Sequence, residues 1–167
     1  MSQKYFSDLD YELGATRRLL ENLPENKMDW KPHDKSWSLA EISTHIVQLL
    51  SWQEGILRHN SFDLKSIDDK AQIIYSREKL LELFDNYVLK LKSRLNAMSD
   101  RELAKEWTLY NGEKVINRQP KFAAFRTTCL SHLIHHRGQL TVYLRLLDVP
   151  LPPVYGPTAD QKVDWSS

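Results

Sequence analysis

Residues 38–57, SLAEISTHIVQLLSWQEGIL, carry the clearest fold signal in this chain of 167 residues. Ser38 and Glu41 are spaced as a capping box, in which the serine hydroxyl accepts a hydrogen bond from the backbone three residues later and the glutamate reaches back. Apolar residues then recur at three- and four-residue steps, which predicts a helix with one buried face: Ile42, Ile46, Leu49, Trp52 and Ile56. This stretch therefore predicts a helix that begins sharply at Ser38.

The same periodicity predicts three further long helices, at about residues 2–23, 76–98 and 120–147. Pro24 ends the first of them. Pro120 suits the first turn of the last, where its missing N–H costs nothing. Four long helices without long strands predict an all-α four-helix bundle. We expect a single domain that spans residues 1–167.

Shorter segments connect these helices. Residues 25–37 are predicted to form an ordered connector packed on the bundle, and residues 60–70 a polar loop. Asn111-Gly112 lies between two short apolar runs, which predicts a small hairpin before the last helix, after a short helical turn in residues 99–106. Prolines exclude a helix at residues 149–153, so this tail should lie extended across the bundle.

Composition and charge argue against several classes of partner. The net charge is +1, from 23 basic and 22 acidic residues, so no nucleic-acid partner is expected. No apolar run approaches the roughly 20 residues that cross a bilayer, and the N-terminus lacks the apolar stretch of a secretory signal. Cys129 is the single cysteine, which suits a reducing compartment. We expect a soluble, cytoplasmic protein without a membrane partner.

Residues 131–139, SHLIHHRGQ, hold the side chains best suited to chemistry. His132 and His136 are four residues apart and lie one helical turn above each other, so one ion could bind both. At about 100° per residue, His136 falls about 40° to one side of His132 and His135 about 60° to the other. The apolar face of the helix is centred close to His136. The angles therefore favour His132 and His136 over His135.

His45 is the third candidate ligand, because it lies on the buried stripe of the second predicted helix. A polar side chain buried without a partner costs about 1–3 kcal/mol, so a histidine there needs one. Three neutral imidazoles that share one ion would meet this need and leave positions open for water or substrate, as in a catalytic metal site. The residues also allow a second interpretation, in which each histidine is a hydrogen-bonded core residue.

Other residues near these histidines have simpler interpretations. Cys129 could be a soft metal ligand, but a small core residue is the preferred interpretation. Arg137 is interpreted as a packing or ion-pair residue. Gly138 in a helix costs about 1 kcal/mol relative to alanine, which suggests a close approach of another segment. Trp52 shares the His45 stripe and is a candidate pocket residue, with core packing as the alternative.

The chain resembles the DinB-like family, also called DinB/YfiT-type metalloenzymes, which is unrelated to the DNA polymerase of the same name. The resemblance runs in order through most of the sequence, in five segments: Trp30-Lys31-Pro32, Ser36-Trp37-Ser38, His45, residues 132–139, and the tail from Val149-Pro150 through Tyr155-Gly156-Pro157 to Asp160. The pattern H-x-x-H-H-R-G-Q is the most specific of these.

This resemblance implies an antiparallel four-helix bundle with a three-histidine site for nickel, zinc or a similar divalent ion. The family's ligands match His45, His132 and His136, and many members are homodimers. Some relatives are bacillithiol transferases or mycothiol-dependent isomerases, so the leading hypothesis is a metal-dependent transferase that uses a low-molecular-weight thiol on a small-molecule substrate. A metal-dependent hydrolase, with His135 as a candidate neighbouring group, and a non-catalytic binding or stress-response module remain alternatives. No catalytic residue is identified.

Overall fold

The computed structural model describes residues 5–66 and 72–161. Its first four helices are α1 (Leu9–Glu21), α2 (Leu39–Arg58), α3 (Arg77–Ala97) and the short α4 (Asp100–Leu103). Its last helical stretch has three consecutive parts, which are α5 (Lys121–Ala124), a π-helix (Phe125–Leu130) and α6 (Ser131–Leu146). Its strands are β1 (Ser61–Asp63), β2 (Glu106–Asn111) and β3 (Lys114–Pro120). None of the helices within the described ranges is long and apolar enough to span a membrane.

The prediction of an all-α four-helix bundle is wrong, because the three strands form a mixed sheet with the order β1-β2-β3. The hairpin of β2 and β3 is antiparallel, as its turn signal suggests, but its strands are longer than expected. β1 pairs in parallel with β2 and lies in the segment predicted to be a polar loop. A strand of three residues has no periodicity of its own and depends on a partner that is distant in the chain.

The hairpin turn explains why β1 is held in place. Gly112 adopts a φ of 61°, the left-handed conformation that glycine reaches without steric cost. Asp63, the last residue of β1, accepts hydrogen bonds from the backbone N–H of Gly112 at 2.8 Å and of Lys65 at 3.0 Å. One carboxylate therefore links the end of β1 to the turn between β2 and β3.

The helical core is centred on α2, which packs against α3 and α6, while α1 also contacts both of these helices. The predicted capping box is present: Ser38 Oγ accepts from Glu41 N at 3.2 Å, and a Glu41 carboxylate oxygen accepts from Ser38 N at 2.6 Å. Ile42, Ile46 and Leu49 are all fully buried. α2 thus begins where the sequence predicts and buries the predicted face.

α1 begins later than predicted, at Leu9. The predicted residues 2–4 of this helix lie outside the described part of the chain, as do residues 67–70 of the predicted polar loop. The segment before Leu9 instead packs on the last helical stretch: the Tyr5 ring stacks on Phe122, and Phe6 on Phe125 at 4.3 Å between ring centroids. This long-range packing replaces the extra helical turn.

A buried ion pair joins α1, α6 and the C-terminal tail. Arg137 Nη1 lies 2.6 Å from Glu12 Oε2, and the two side chains are 2% and 5% exposed. Tyr155, in the tail, donates to the Glu12 carboxylate at 2.8 Å and accepts from Arg137 Nη2 at 2.7 Å. The ion-pair interpretation of Arg137 is confirmed, and the non-helical tail crosses α1 and α6.

Two glycines of this fold place different demands on the backbone, and alanine substitutions test the difference. Gly112→Ala should destabilise the fold by about 1–2 kcal/mol, because alanine adopts a φ of 61° only with strain. Gly138→Ala should stabilise it by about 0.4–1 kcal/mol, because alanine restricts the unfolded chain. No described atom beyond its own turn lies within 4 Å of a Cβ added at Gly138, so the close approach predicted there is wrong. Urea unfolding measures the change in the free energy of unfolding for both variants. Changes of the same sign would contradict the different backbone requirements of Gly112 and Gly138.

The buried ion pair can be tested by charge removal. Glu12→Gln should lower the free energy of unfolding by about 3–5 kcal/mol, because the buried Arg137 charge would lose its partner. The matched control is Glu21→Gln, since Glu21 pairs with Arg17 on the surface with 44% of its side chain exposed. This control should change stability by no more than about 1 kcal/mol. Thermal and urea unfolding measure the loss of stability in both variants. Equal losses in Glu12→Gln and Glu21→Gln would contradict a stabilising role of the buried ion pair.

Candidate metal centre

The structure brings His45, His132 and His136 together between α2 and α6. His132 Nε2 lies 2.8 Å from His136 Nε2 and 3.5 Å from His45 Nε2. One nitrogen from each of the three rings lies within 4.8 Å of the other two. These are the three residues that the sequence singles out as candidate ligands, and the cluster is compatible with metal binding.

The neighbouring candidates lie outside this cluster. His135 is exposed, and its ring centroid is 5.0 Å from that of His136. The helical angles predicted that His136, and not His135, faces inward, and the burial of the two side chains confirms this. Cys129 is fully buried, and burial raises the pKa of its thiol far above the ordinary value. It is a neutral core side chain, in agreement with the preferred interpretation.

Two tryptophans surround the imidazoles. Trp37 stacks on the His136 ring at 5.3 Å and lies 5.0 Å from the His45 ring, between centroids. The edge of the Trp52 ring meets His45 at 5.9 Å and 88°. Since Trp37 is itself 45% exposed, the cluster lies just beneath the surface on this side. No sequence signal predicted this position of Trp37, because Trp37 precedes α2 and only the fold brings it to α6.

Gln139 fixes the orientation of the His136 ring. Its side-chain oxygen lies 2.7 Å from His136 Nδ1. An amide oxygen only accepts hydrogen bonds, so Nδ1 carries the hydrogen and Nε2 presents its lone pair to the cluster. This role of Gln139 was not predicted, although a spacing of three residues on a helix places its side chain beside His136.

The surroundings keep the imidazoles uncharged. Burial, followed by the nearby His136 and His132, lowers the pKa of His45 to about 4. Burial also lowers the pKa of His132 and of His136, although hydrogen bonds to the Thr128 backbone and to Gln139 act in the opposite direction. Neutral imidazoles keep a free lone pair for a cation, and a metal ion requires this form of the ligand.

The two nitrogen–nitrogen distances around His132 are close to those expected for ligands of one ion. Two nitrogens bound tetrahedrally to one zinc ion at about 2.0–2.1 Å lie about 3.3 Å apart. The contacts of 3.5 Å and 2.8 Å that His132 Nε2 makes lie on either side of this value. Among the described residues, the cluster contains imidazoles alone and no carboxylate or thiol. Its donor set therefore suits a divalent transition metal such as zinc or nickel.

The π-helix directly precedes the histidine helix and was not predicted. Residues 125–130 continue from α5 into α6 without a proline or glycine, so their sequence contains no break in the helical pattern. π-Turns are frequent near functional sites, where they shift the register of the side chains that follow. Here Thr128 comes from this segment, and its backbone is hydrogen-bonded to His132.

Several known proteins are similar to this chain. The uncharacterized protein YrdA of Bacillus subtilis (strain 168) is 24% identical over 165 residues, which cover 97% of this chain and 90% of YrdA. The crystal structure of a DinB-like protein from Bacillus cereus ATCC 10987 matches with a TM-score of 0.71 and 19% identity, over 90% of this chain and 95% of that one.

The DinB-like protein YjoA of Bacillus subtilis matches with a TM-score of 0.69 and 20% identity, over 96% of this chain and 99% of YjoA. At these identities the solved structures establish a shared fold. The sequence model of the DinB superfamily matches residues 8–140, about four-fifths of the chain, and includes all three clustered histidines. The chain therefore belongs to the DinB superfamily.

Proposed function

We propose that His45, His132 and His136 bind a divalent metal ion, nickel or zinc, and that the protein is a transferase joining a low-molecular-weight thiol to an electrophilic small molecule. The observation that carries the proposal is the convergence of three imidazole nitrogens within 4.8 Å of one another. Uncharged rings from two separate helices meet there in a form ready to bind a cation, and no carboxylate of the described residues belongs to the cluster.

Each residue of the centre has a separate part in this proposal. His45, His132 and His136 act as ligands and not as bases, because the lone pair of each inward nitrogen is used for binding. Gln139 orients the His136 ring through its 2.7 Å hydrogen bond. Such partners of metal-binding histidines set the tautomer and raise the basicity of the ligand. Trp37 and Trp52 limit the access of water to the histidine rings.

The thiol is the preferred co-substrate on grounds of charge. Three neutral ligands leave the charge of a divalent ion uncompensated, so the ion would favour the thiolate form of a thiol that binds at the open position. In the overall reaction, the thiol loses its proton, its sulfur forms a bond to an electrophilic carbon, and the leaving group departs and takes up that proton. The thioether and the protonated leaving group account for all atoms of both substrates.

The metal part of the proposal predicts a specific loss on mutation. The purified protein should contain close to one equivalent of nickel or zinc. His132→Ala and His136→Ala should each lower the bound metal at least about tenfold, since loss of even a hydrogen-bonded partner of a ligand typically costs 10–100-fold in metal affinity. His135→Ala is the matched control, because His135 is on the same helix but exposed, and it should retain the metal. Elemental analysis measures all four proteins, and a metal content unaffected by the ligand variants would reject the site.

The thiol part is tested by cobalt substitution. When cysteine or glutathione is added to the cobalt-loaded protein, the visible d–d absorption should shift, because a sulfur ligand changes the ligand field. Acetate serves as a control anion without sulfur and should not reproduce the shift. A spectrum that thiols leave unchanged would count against the transferase, and hydrolysis of ester or amide probes would then support the alternative hydrolase. If the protein contains no metal and shows neither activity, the non-catalytic binding or stress-response module is the hypothesis that remains.

Two further expectations belong to this proposal. A homodimer is supported by the apolar side chains of Val142 and Leu146, which lie one turn apart on α6 and are more than half exposed. A cytoplasmic location is supported by Cys129, a free and buried thiol that suits a reducing compartment. Both remain predictions.

A further inference from the structure

A cavity lies next to the histidine cluster. It has a volume of about 480 Å³, within the range of roughly 300–1,000 Å³ that is usual for small-molecule sites. Side chains from α2, α3, β1, β2 and the π-helix line it. The rings and apolar groups that matter here are those of Trp52, Phe62, Tyr87, Trp107, Leu109 and Cys129.

This cavity shares residues with the surroundings of the imidazoles. Trp52 forms part of its wall, and the same ring meets His45 at 5.9 Å between centroids. Thr128 lines the cavity as well, and its backbone is hydrogen-bonded to His132. Trp52 and Thr128 therefore belong both to the cavity lining and to the surroundings of the histidine cluster, so a molecule in the cavity would lie beside the cluster.

The lining indicates the chemical class of the ligand. Among the described residues that line the cavity there is no lysine or arginine. Its one carboxylate, Glu54, pairs with Arg94 at 3.3 Å, and its one imidazole is that of His59. Cys129 contributes a neutral thiol, because burial raises its pKa. Aromatic side chains prefer to pack against other aromatic rings in offset or edge-to-face contacts. An uncharged aromatic molecule matches this lining better than an anion does.

We propose that this cavity binds an uncharged aromatic small molecule, which carries the electrophilic carbon for thiol transfer. The inference rests on the proposed transferase function, and it adds the class of the second substrate. The ring would occupy the cavity, with its reactive carbon directed toward the histidine cluster. The carbon–sulfur bond forms there as the bond from carbon to the leaving group breaks, and the leaving group takes the thiol proton.

Gly55 offers a direct way to fill the cavity. It lines the cavity on α2, and a Cβ added there meets nothing within 4 Å among the described residues. Gly55→Phe would occupy the space, and replacing a helical glycine also improves helix propensity. Gly55→Leu, with a smaller side chain, is measured beside it. Gly138→Phe is the matched control, since it also adds a ring at a helical glycine with open space but lies outside the lining.

The binding test uses 1-naphthalenemethanol as the uncharged probe and 1-naphthoate as the anionic probe of similar shape. Isothermal titration calorimetry should detect the alcohol in the unmodified protein and in Gly138→Phe, with and without chelator. Gly55→Phe and Gly55→Leu should bind the alcohol at least about tenfold more weakly than the unmodified protein does. The unmodified protein should also bind the anion at least about tenfold more weakly than the alcohol. An alcohol that fails to bind, or binds all variants equally, would overturn the inference, as would preference for the anion.

The activity test separates this inference from the proposed function. Cysteine and 1-(chloromethyl)naphthalene should yield a thioether with the unmodified protein, at a rate reduced at least about tenfold in Gly55→Phe. Thioether formation at equal rates in both proteins would refute the cavity but leave the transferase intact. In the opposite case, the unmodified protein binds the alcohol, Gly55→Phe abolishes this binding, and the unmodified protein forms no thioether. This result would refute the transferase but leave the ligand site.

Discussion

Three imidazole rings meet at the edge of the apolar core, where α2 lies against α6. Their inward nitrogens face one another at 2.8 Å and 3.5 Å around His132, and each ring is kept neutral by burial. Mutually facing polar atoms in apolar surroundings need a shared partner, and a cation provides one. The packing of α2 against α6 is therefore the contact on which both the core and the candidate chemistry depend.

The buried ion pair behind the histidine helix supports this geometry. Arg137 follows His136 directly and lies about 100° further round α6, on a different face, where Glu12 and Tyr155 hold it. α6 is thus held by the imidazole cluster on one face and by a charged network on the other. Because packing and hydrogen bonds restrict both faces, the rings of His132 and His136 have little freedom to separate. Such rigidity favours a preformed ligand set.

The mixed sheet has a role beyond closing the fold. Phe62 of β1 and Trp107 and Leu109 of β2 form one wall of the cavity beside the histidines. Without the sheet, the side of α2 that carries Trp52 and Gly55 would face solvent. The strands therefore turn this face of α2 into one wall of an open, largely apolar cavity next to a polar cluster. A largely apolar cavity with a few polar groups beside it is typical of small-molecule sites.

Local signals in the sequence determined α2, the hairpin turn and the histidine pair on the last helix. Ser38 and Glu41 interact within one turn, Gly112 needs only its own backbone freedom, and the choice of His136 over His135 follows from helical angles. The buried stripe of α2 made His45 the third candidate, and the family resemblance matched it to the ligand set, which is consistent with the observed cluster.

Only the tertiary structure decided β1, the late start of α1, the π-helix, and the positions of Trp37 and Tyr155. Ser61 needs Thr108 as its strand partner, Tyr5 needs Phe122, and Tyr155 needs Glu12. Each of these contacts joins residues far apart in the chain, so its free energy depends on packing that no local pattern encodes. The sequence alone therefore determined which residues are suited to the chemistry, and the tertiary structure decided what surrounds them.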